Sequence, residues 1–196
     1  MNKSKYKYFS LIELIVVISI IAATASFVVP LLSGTEDKAY HDTTTREMKE
    51  IQFAFKNLNK DCLLNENEFK ECVKYGLWAL FSNKHPVDPL KNIEVFSPGR
   101  MRGWRGKYMN FEDSVNIDPN ALGQQLSTNS LSVNIPVIKD PYGGYYRLLC
   151  PTPFDLEKIV LICTGGNRKL ETVSTNIDTN GNILPIGDDM LIKLIH

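Results

Sequence analysis

Between Leu14 and Leu32 the chain carries no charged residue, while Lys3, Lys5 and Lys7 stand before this run and Glu36 and Asp37 follow it. A helix that crosses a hydrocarbon core of about 30 Å needs roughly 20 apolar residues at about 1.5 Å each, so the run predicts either a transmembrane helix or the apolar centre of a signal peptide. Positive charge before the span and negative charge after it orient the N-terminus to the cytoplasm and export the remainder. Ala23-Thr24-Ala25 has the small-residue pattern of a signal-peptide cut. Apolar residues nonetheless continue through Phe27, Val28, Val29, Leu31 and Leu32, which predicts that the run is kept.

Past the apolar run the pattern changes. Met48, Ile51, Phe55 and Leu58 recur at three- and four-residue steps, with Arg46, Glu47, Lys49, Glu50 and Lys56 between them. That is the spacing of an amphipathic helix with one buried face. One helix from about Phe9 to Lys60, bent at Pro30 where a backbone donor is missing, is the expectation. The chain has 196 residues, 43% of them hydrophobic, which is enough for one compact domain with an appended element. Its 22 basic and 22 acidic residues cancel, so nothing points to nucleic acid as a partner.

The residues at the front of the run, Phe9-Ser10-Leu11-Ile12-Glu13-Leu14-Ile15-Val16-Val17, resemble the N-terminus of type IV pilins and pseudopilins. There a short basic leader precedes Phe-Thr-Leu-Ile-Glu and a long apolar helix. The resemblance implies a leader at 1–8, cleavage between Tyr8 and Phe9 by a prepilin peptidase, and methylation of the new N-terminal Phe9. It gives Glu13 an assembly role, pairing with the N-terminal amine of a neighbouring subunit, and it places Pro30 at the family's helix-bending proline. An ionised group within a membrane costs about 2.5–3.5 kcal/mol on insertion scales, so Glu13 there calls for such a partner. The residue before Phe9 is Tyr8, where the family carries glycine.

The region 61–130 mixes helical fragments, such as Glu66 to Leu80, with Pro86, Pro89, Pro98, Gly99, Gly103 and Gly106, and predicts short elements joined by turns. Within it, Gly103-Trp104-Arg105-Gly106-Lys107-Tyr108 is similar to a Gly-Trp-Arg-Gly-Pro-Tyr segment of pseudopilin-like proteins. The residues themselves read as an aromatic turn packed on the sheet, with Arg105 covering a ring. From 131 to 196 the chain predicts a small antiparallel sheet with strands over Tyr145 to Cys150, Lys158 to Cys163 and Met190 to Ile195. Asp140-Pro141-Tyr142-Gly143-Gly144-Tyr145-Tyr146 resembles the turn that opens the sheet of the major pseudopilin of type II secretion.

Asn176, Asp178 and Asn180 alternate ahead of Gly181, like the first half of an EF-hand-like loop, but Gly187 stands where the bidentate glutamate belongs. An ion-free Asn/Gly turn has the same composition. The resemblance implies calcium there, with Asp178, Asn180, Asp188 and Asp189 as ligands. Cys62, Cys72, Cys150 and Cys163 lack the close Cys-x-x-Cys spacing of zinc sites. Cys62–Cys72 and Cys150–Cys163 bridges, or four buried thiols, are the open alternatives. None of His41, His85 and His196 has a nucleophile beside it, and all read as surface or turn residues; no enzyme is expected.

The expected fold is therefore α+β and pilin-like: a long N-terminal helix, membrane-spanning in its first half over 14–32, packed on a small C-terminal antiparallel sheet. The implied function is that of a structural subunit of a type II secretion pseudopilus, anchored in the inner membrane with its C-terminal domain in the periplasm. Implied partners are copies of itself, other pseudopilins, the prepilin peptidase and an inner-membrane assembly platform. A type IV pilin or minor pilin is the alternative within the family. A membrane-anchored or secreted calcium-stabilised binding module that never polymerises is the alternative outside it.

Overall fold

The computed structural model describes residues 10–111, 113–117, 132–151, 155–173 and 175–194, without the side chains of 29–33 and 156. Helix α1 spans Leu11–Cys62 and α2 spans Glu66–Tyr75. Strands β1 (Asp113–Ile117) and β2 (Val133–Val137) form a two-stranded antiparallel ladder. Strands β3 (Arg147–Leu149), β4 (Val160–Cys163) and β5 (Met190–Lys193) form a three-stranded antiparallel sheet in that order. The chain is thus α+β, with a long N-terminal apolar helix and small antiparallel sheets. It divides into two compact units, 1–42 and 43–196, with the division inside α1.

α1 runs on through Pro30, whose missing N–H removes one backbone bond without ending the helix. α2 is shorter than the Glu66 to Leu80 segment that the sequence suggests. It opens on a capping box: Glu68 N donates to Asn65 Oδ1 at 3.0 Å and Asn65 N donates to Glu68 Oε2 at 2.7 Å. It stops because Gly76 takes φ 74°, a left-handed value open to glycine, and the chain restarts as a 3-10 turn over Trp78–Leu80.

The second unit is organised on the last part of α1. Thr44, Met48, Ile51, Ala54, Phe55, Leu58 and Cys62 are all buried and lie on one face at helical spacing. Phe69 of α2 packs its ring against Phe55 at 5.6 Å between centroids. Sheet side chains alternate as the pleat requires. Leu148, Leu161 and Cys163 belong to the main core with Ile51 and Phe55, while Leu149, Val160 and Ile162 form a second cluster with Ile183. All of β4 is buried because both faces of the sheet are covered.

Polar bonds fix the helix to the sheet. Tyr146 Oη donates to Glu47 Oε2 at 2.8 Å, and Gln52 Nε2 donates to the carbonyl of Lys193 at the end of β5. The β1–β2 ladder is a finding that the sequence reading did not name; Val133, Ile135 and Val137 alternate at period two, but Pro136 between them argues against a strand. Truncating the fully buried Phe55 to alanine should destabilise the second unit by about 3–5 kcal/mol, measured by denaturant unfolding of the full chain.

Candidate functional site

The first unit presents the feature most in need of a function. Residues Leu11–Val28 are long and apolar enough to cross a membrane, and none of them is buried within the chain. Leu11, Ile12, Ile20, Ile21 and Phe27 are each more than half exposed. Hydroxyls in the span bond back to the helix itself. Ser19 Oγ donates to Ile15 O at 2.8 Å, Thr24 Oγ1 to Ile20 O at 3.0 Å, and Ser26 Oγ to Ala22 O at 2.7 Å. Those bonds leave these polar groups satisfied without water, the condition a helix must meet in hydrocarbon.

Glu13 stands in the first turn of α1. Ser10 N donates to Glu13 Oε2 at 2.8 Å, and Leu14 N donates to Ser10 O at 3.2 Å, so Ser10 is the cap residue and Glu13 closes over it. A carboxylate here also faces the positive end of the helix dipole. Tyr8 and Phe9, the predicted processing site, lie outside the described residues, as do Lys3, Lys5 and Lys7. Pro30 lies on α1, within the stretch whose side chains are not described.

The Gly103–Tyr108 motif closes over the C-terminal end of α1, and its Trp104 and Tyr108 pack against the core that the helix and the sheet share. Asp61 is the hub. Gly103 N donates to its carbonyl at 2.7 Å, Tyr108 Oη to its Oδ2 at 2.9 Å, and Arg105 Nε lies 3.1 Å from its Oδ1. Trp104 Nε1 donates to Ala79 O at 2.9 Å. The ring that Arg105 covers is Phe96, at 4.1 Å. Gly103 has φ 121°, and a Cβ there would sit 2.7 Å from Phe96 Cα, so both backbone and space demand glycine. Burial pushes the Tyr108 phenol up, and its bond to Asp61 adds to the shift.

The Asp140–Tyr146 turn leads into β3. Asp140 Oδ1 accepts from Gly144 N at 2.8 Å and its Oδ2 accepts from Cys163 Sγ at 3.3 Å. A side chain on Gly144 would meet Asp140 Oδ2 and Thr164 Oγ1, both at 2.8 Å. This compact turn thereby ties the end of β4 to the start of β3, and Tyr146 carries the tie on to α1.

The predicted calcium ligands are not gathered into one site. Asp178 is occupied by its own turn: its Oδ1 accepts from Asn180 N and Asn182 N, both at 2.8 Å, and its Oδ2 from Asn182 Nδ2 at 2.9 Å. These bonds hold its carboxyl below the usual carboxylate range. Asp188 Oδ2 instead accepts from Asn167 N at 2.9 Å. Asp189 is buried and its Oδ2 accepts from Glu171 N at 3.0 Å and Thr172 N at 2.6 Å. Among the described residues no three His, Cys, Asp or Glu side chains stand together as a metal site. Asp189 Oδ1, however, is buried with no hydrogen-bond partner among the described residues.

All four cysteines are buried free thiols. The Cys150–Cys163 bridge is ruled out by register. Arg147 pairs with Ile162 and Leu149 with Val160, so the two cysteines flank opposite ends of the ladder. Roughly four strand residues, or about 13 Å, part them, well beyond the Cα distance of about 7 Å that a disulfide allows. Cys62 and Cys72 lie together in the main core as thiols. Burial pushes Cys62 up to about 11 and Cys163 up to about 12, which leaves both thiols un-ionised and unreactive at neutral pH.

His85 lies in an irregular turn segment, one of the two places the sequence suggests, but it is buried rather than at the surface. It is buried between the edges of Tyr75 and Trp78, at 4.8 and 5.2 Å between centroids. Its Nδ1 accepts from Val87 N at 3.2 Å and Asp88 N at 2.9 Å, so its proton is on Nε2, 3.0 Å from Glu71 Oε2. Glu71 Oε1 accepts from Lys91 Nζ at 2.6 Å. Nothing in the sequence pairs Glu71 with residues so far along the chain. His41, in contrast, is exposed, and His196 lies outside the described residues. No known protein family matches the chain, and neither does any curated protein or solved structure.

Burial works against the Glu71 charge, but the bonds from Lys91 and His85 win and hold its carboxyl below the glutamate value of 4.5. A carboxyl lowered on folding contributes stability above its unfolded pKa and loses it as pH falls through the folded value. Stability measured by thermal melting should therefore decline below about pH 4.5, and Glu71→Gln should flatten that part of the profile while lowering stability at neutral pH.

Proposed function

We propose that the chain is a filament subunit of the pseudopilin kind, anchored in the inner membrane before assembly and packed helix against helix after it. The observation that carries this reading is the wholly exposed apolar helix Leu11–Val28, joined in the same α1 to an amphipathic stretch that docks on the sheet unit. So large an apolar surface has to be covered, by lipid in the membrane-held state and by the helices of other copies in the filament. In this reading Tyr8-Phe9 is cut by a prepilin peptidase, the amine of Phe9 pairs with Glu13 of a neighbouring copy, and an inner-membrane platform extracts subunits to drive protein export. The domain after the span lies in the periplasm.

The backbone bond from Ser10 to Glu13 separates two roles by mutation. Glu13→Gln keeps an oxygen that can cap the helix and loses the charge. Both Glu13→Gln and Glu13→Ala should lower filament yield at least about tenfold in a sedimentation or electron-microscopy assay, with the melting temperature of the second unit unchanged. Wild-type-like filaments from Glu13→Gln would leave capping as the whole role of this residue, and a chain that never polymerises would be a monomeric binding module instead.

Calcium enters the reading at Asp189, with Asp188 beside it, rather than at Asp178 and Asn180. Bound there, the ion would neutralise a buried carboxylate and tie the start of β5 to the 171–172 loop. Millimolar calcium should raise the melting temperature, and Asp189→Asn should abolish the rise where Asp178→Asn preserves it. The absence of any calcium-dependent rise would remove the ion from the reading without touching filament assembly.

A further inference from the structure

A cavity of about 460 Å3 lies between the first turns of α2 and the segment Leu90 to Ile93, with Trp78 in its wall. It falls within the range of roughly 300–1,000 Å3 that small-molecule sites occupy. The two tryptophans differ in one respect. Trp104 donates its indole N–H to Ala79 O, whereas Trp78, 2% exposed, has an Nε1–H that is closed to water and has no partner among the described residues. A buried donor left unmet is unfavourable, and an acceptor brought into the cavity relieves it.

The chemistry of the wall narrows the ligand. The cavity's two ammonium groups are already neutralised, Lys91 by Glu71 and Lys70 by Glu66, so an anion gains little there. Asn65 and Asn92 each spend the side-chain oxygen on a backbone N–H, of Glu68 and His85, which leaves their amide NH2 groups to donate. Exposed Asn67 adds an amide that both donates and accepts. Leu90, 95% exposed, and Ile93 supply an apolar side. We propose that this cavity binds a neutral saccharide, a glycan end of one or two rings, because hydroxyls give and take hydrogen bonds at every edge while the ring's C–H face lies against Leu90. In the bound state one hydroxyl accepts from Trp78 Nε1, the unmet donor of the wall.

The test uses the full chain in a detergent without a sugar headgroup. It combines a glycan array with titration of neutral mono- and disaccharides, read by ligand-observed NMR and tryptophan emission. The expected result is selective binding of neutral glycans with a shift in emission, weakened about tenfold or more by both Asn67→Ala and Trp78→Phe. Asn67 is exposed, so Asn67→Ala should melt as the wild type does and keeps the test valid if Trp78→Phe fails to fold. No binding up to tens of millimolar sugar, a preference for acidic glycans or acidic peptides, or sugar binding indifferent to Asn67→Ala would each overturn the proposal.

Discussion

The burial of one face of α1 beneath the small sheet holds the second unit together. Ile51, Phe55 and Leu58 are fully buried, and α2 and the 3-10 turn at Trp78–Leu80 contribute their apolar residues to the same core as β3 and β4. None of these pieces could stand alone. The sheet has three strands of three or four residues, and α2 has 10 residues, short of the roughly 12–15 that an isolated helix needs for marginal stability. The helix therefore serves as the surface on which the other elements become stable.

Hydrophobic burial is not directional, and the register of the helix against its partners comes from polar contacts spaced along it. Glu47 takes Tyr146, Gln52 gives to the end of β5, and Asp61 takes Gly103, Arg105 and Tyr108. Each contact joins α1 to a different later segment, and each lies at the edge of the apolar stripe. The Gly103–Tyr108 loop could not close over the helix end if residue 103 carried a side chain, which explains why so short a motif is so glycine-dependent.

Within one element, α1, the side-chain pattern changes from apolar on all sides to apolar on one side. A helix apolar on all sides has no face suited to water, whereas one apolar on one side suits the surface of a domain core. In the proposed function the first stretch is the polymerising part, and the second carries the folded domain. The His85–Glu71–Lys91 network and the cavity beside it belong to the second unit.

Much of this was legible in local sequence. The apolar run, the amphipathic stripe from Met48 to Leu58 and the three strands before and after the Gly/Asn-rich turns all announce themselves by period, because 3.6- and 2-residue repeats depend only on neighbours in the chain. What the sequence left open is what depends on distant residues meeting. The β1–β2 ladder pairs two segments well apart in the chain, His85 is buried only because Tyr75, Trp78 and Glu71 converge on it, and Cys150 and Cys163 are parted by a ladder register that no spacing encodes. Likewise Asp178 and Asp189 read as one ligand set in the chain, yet Asp178 spends its oxygens on its own turn while Asp189 turns one to the 171–172 amides and has no partner for the other among the described residues. The sequence by itself determined the long helix, its change from an all-round to a one-sided apolar pattern, and the three strands of the C-terminal sheet; the tertiary structure alone decided which polar groups are satisfied, because a hydrogen bond between residues far apart in the chain exists only once the core has brought them together.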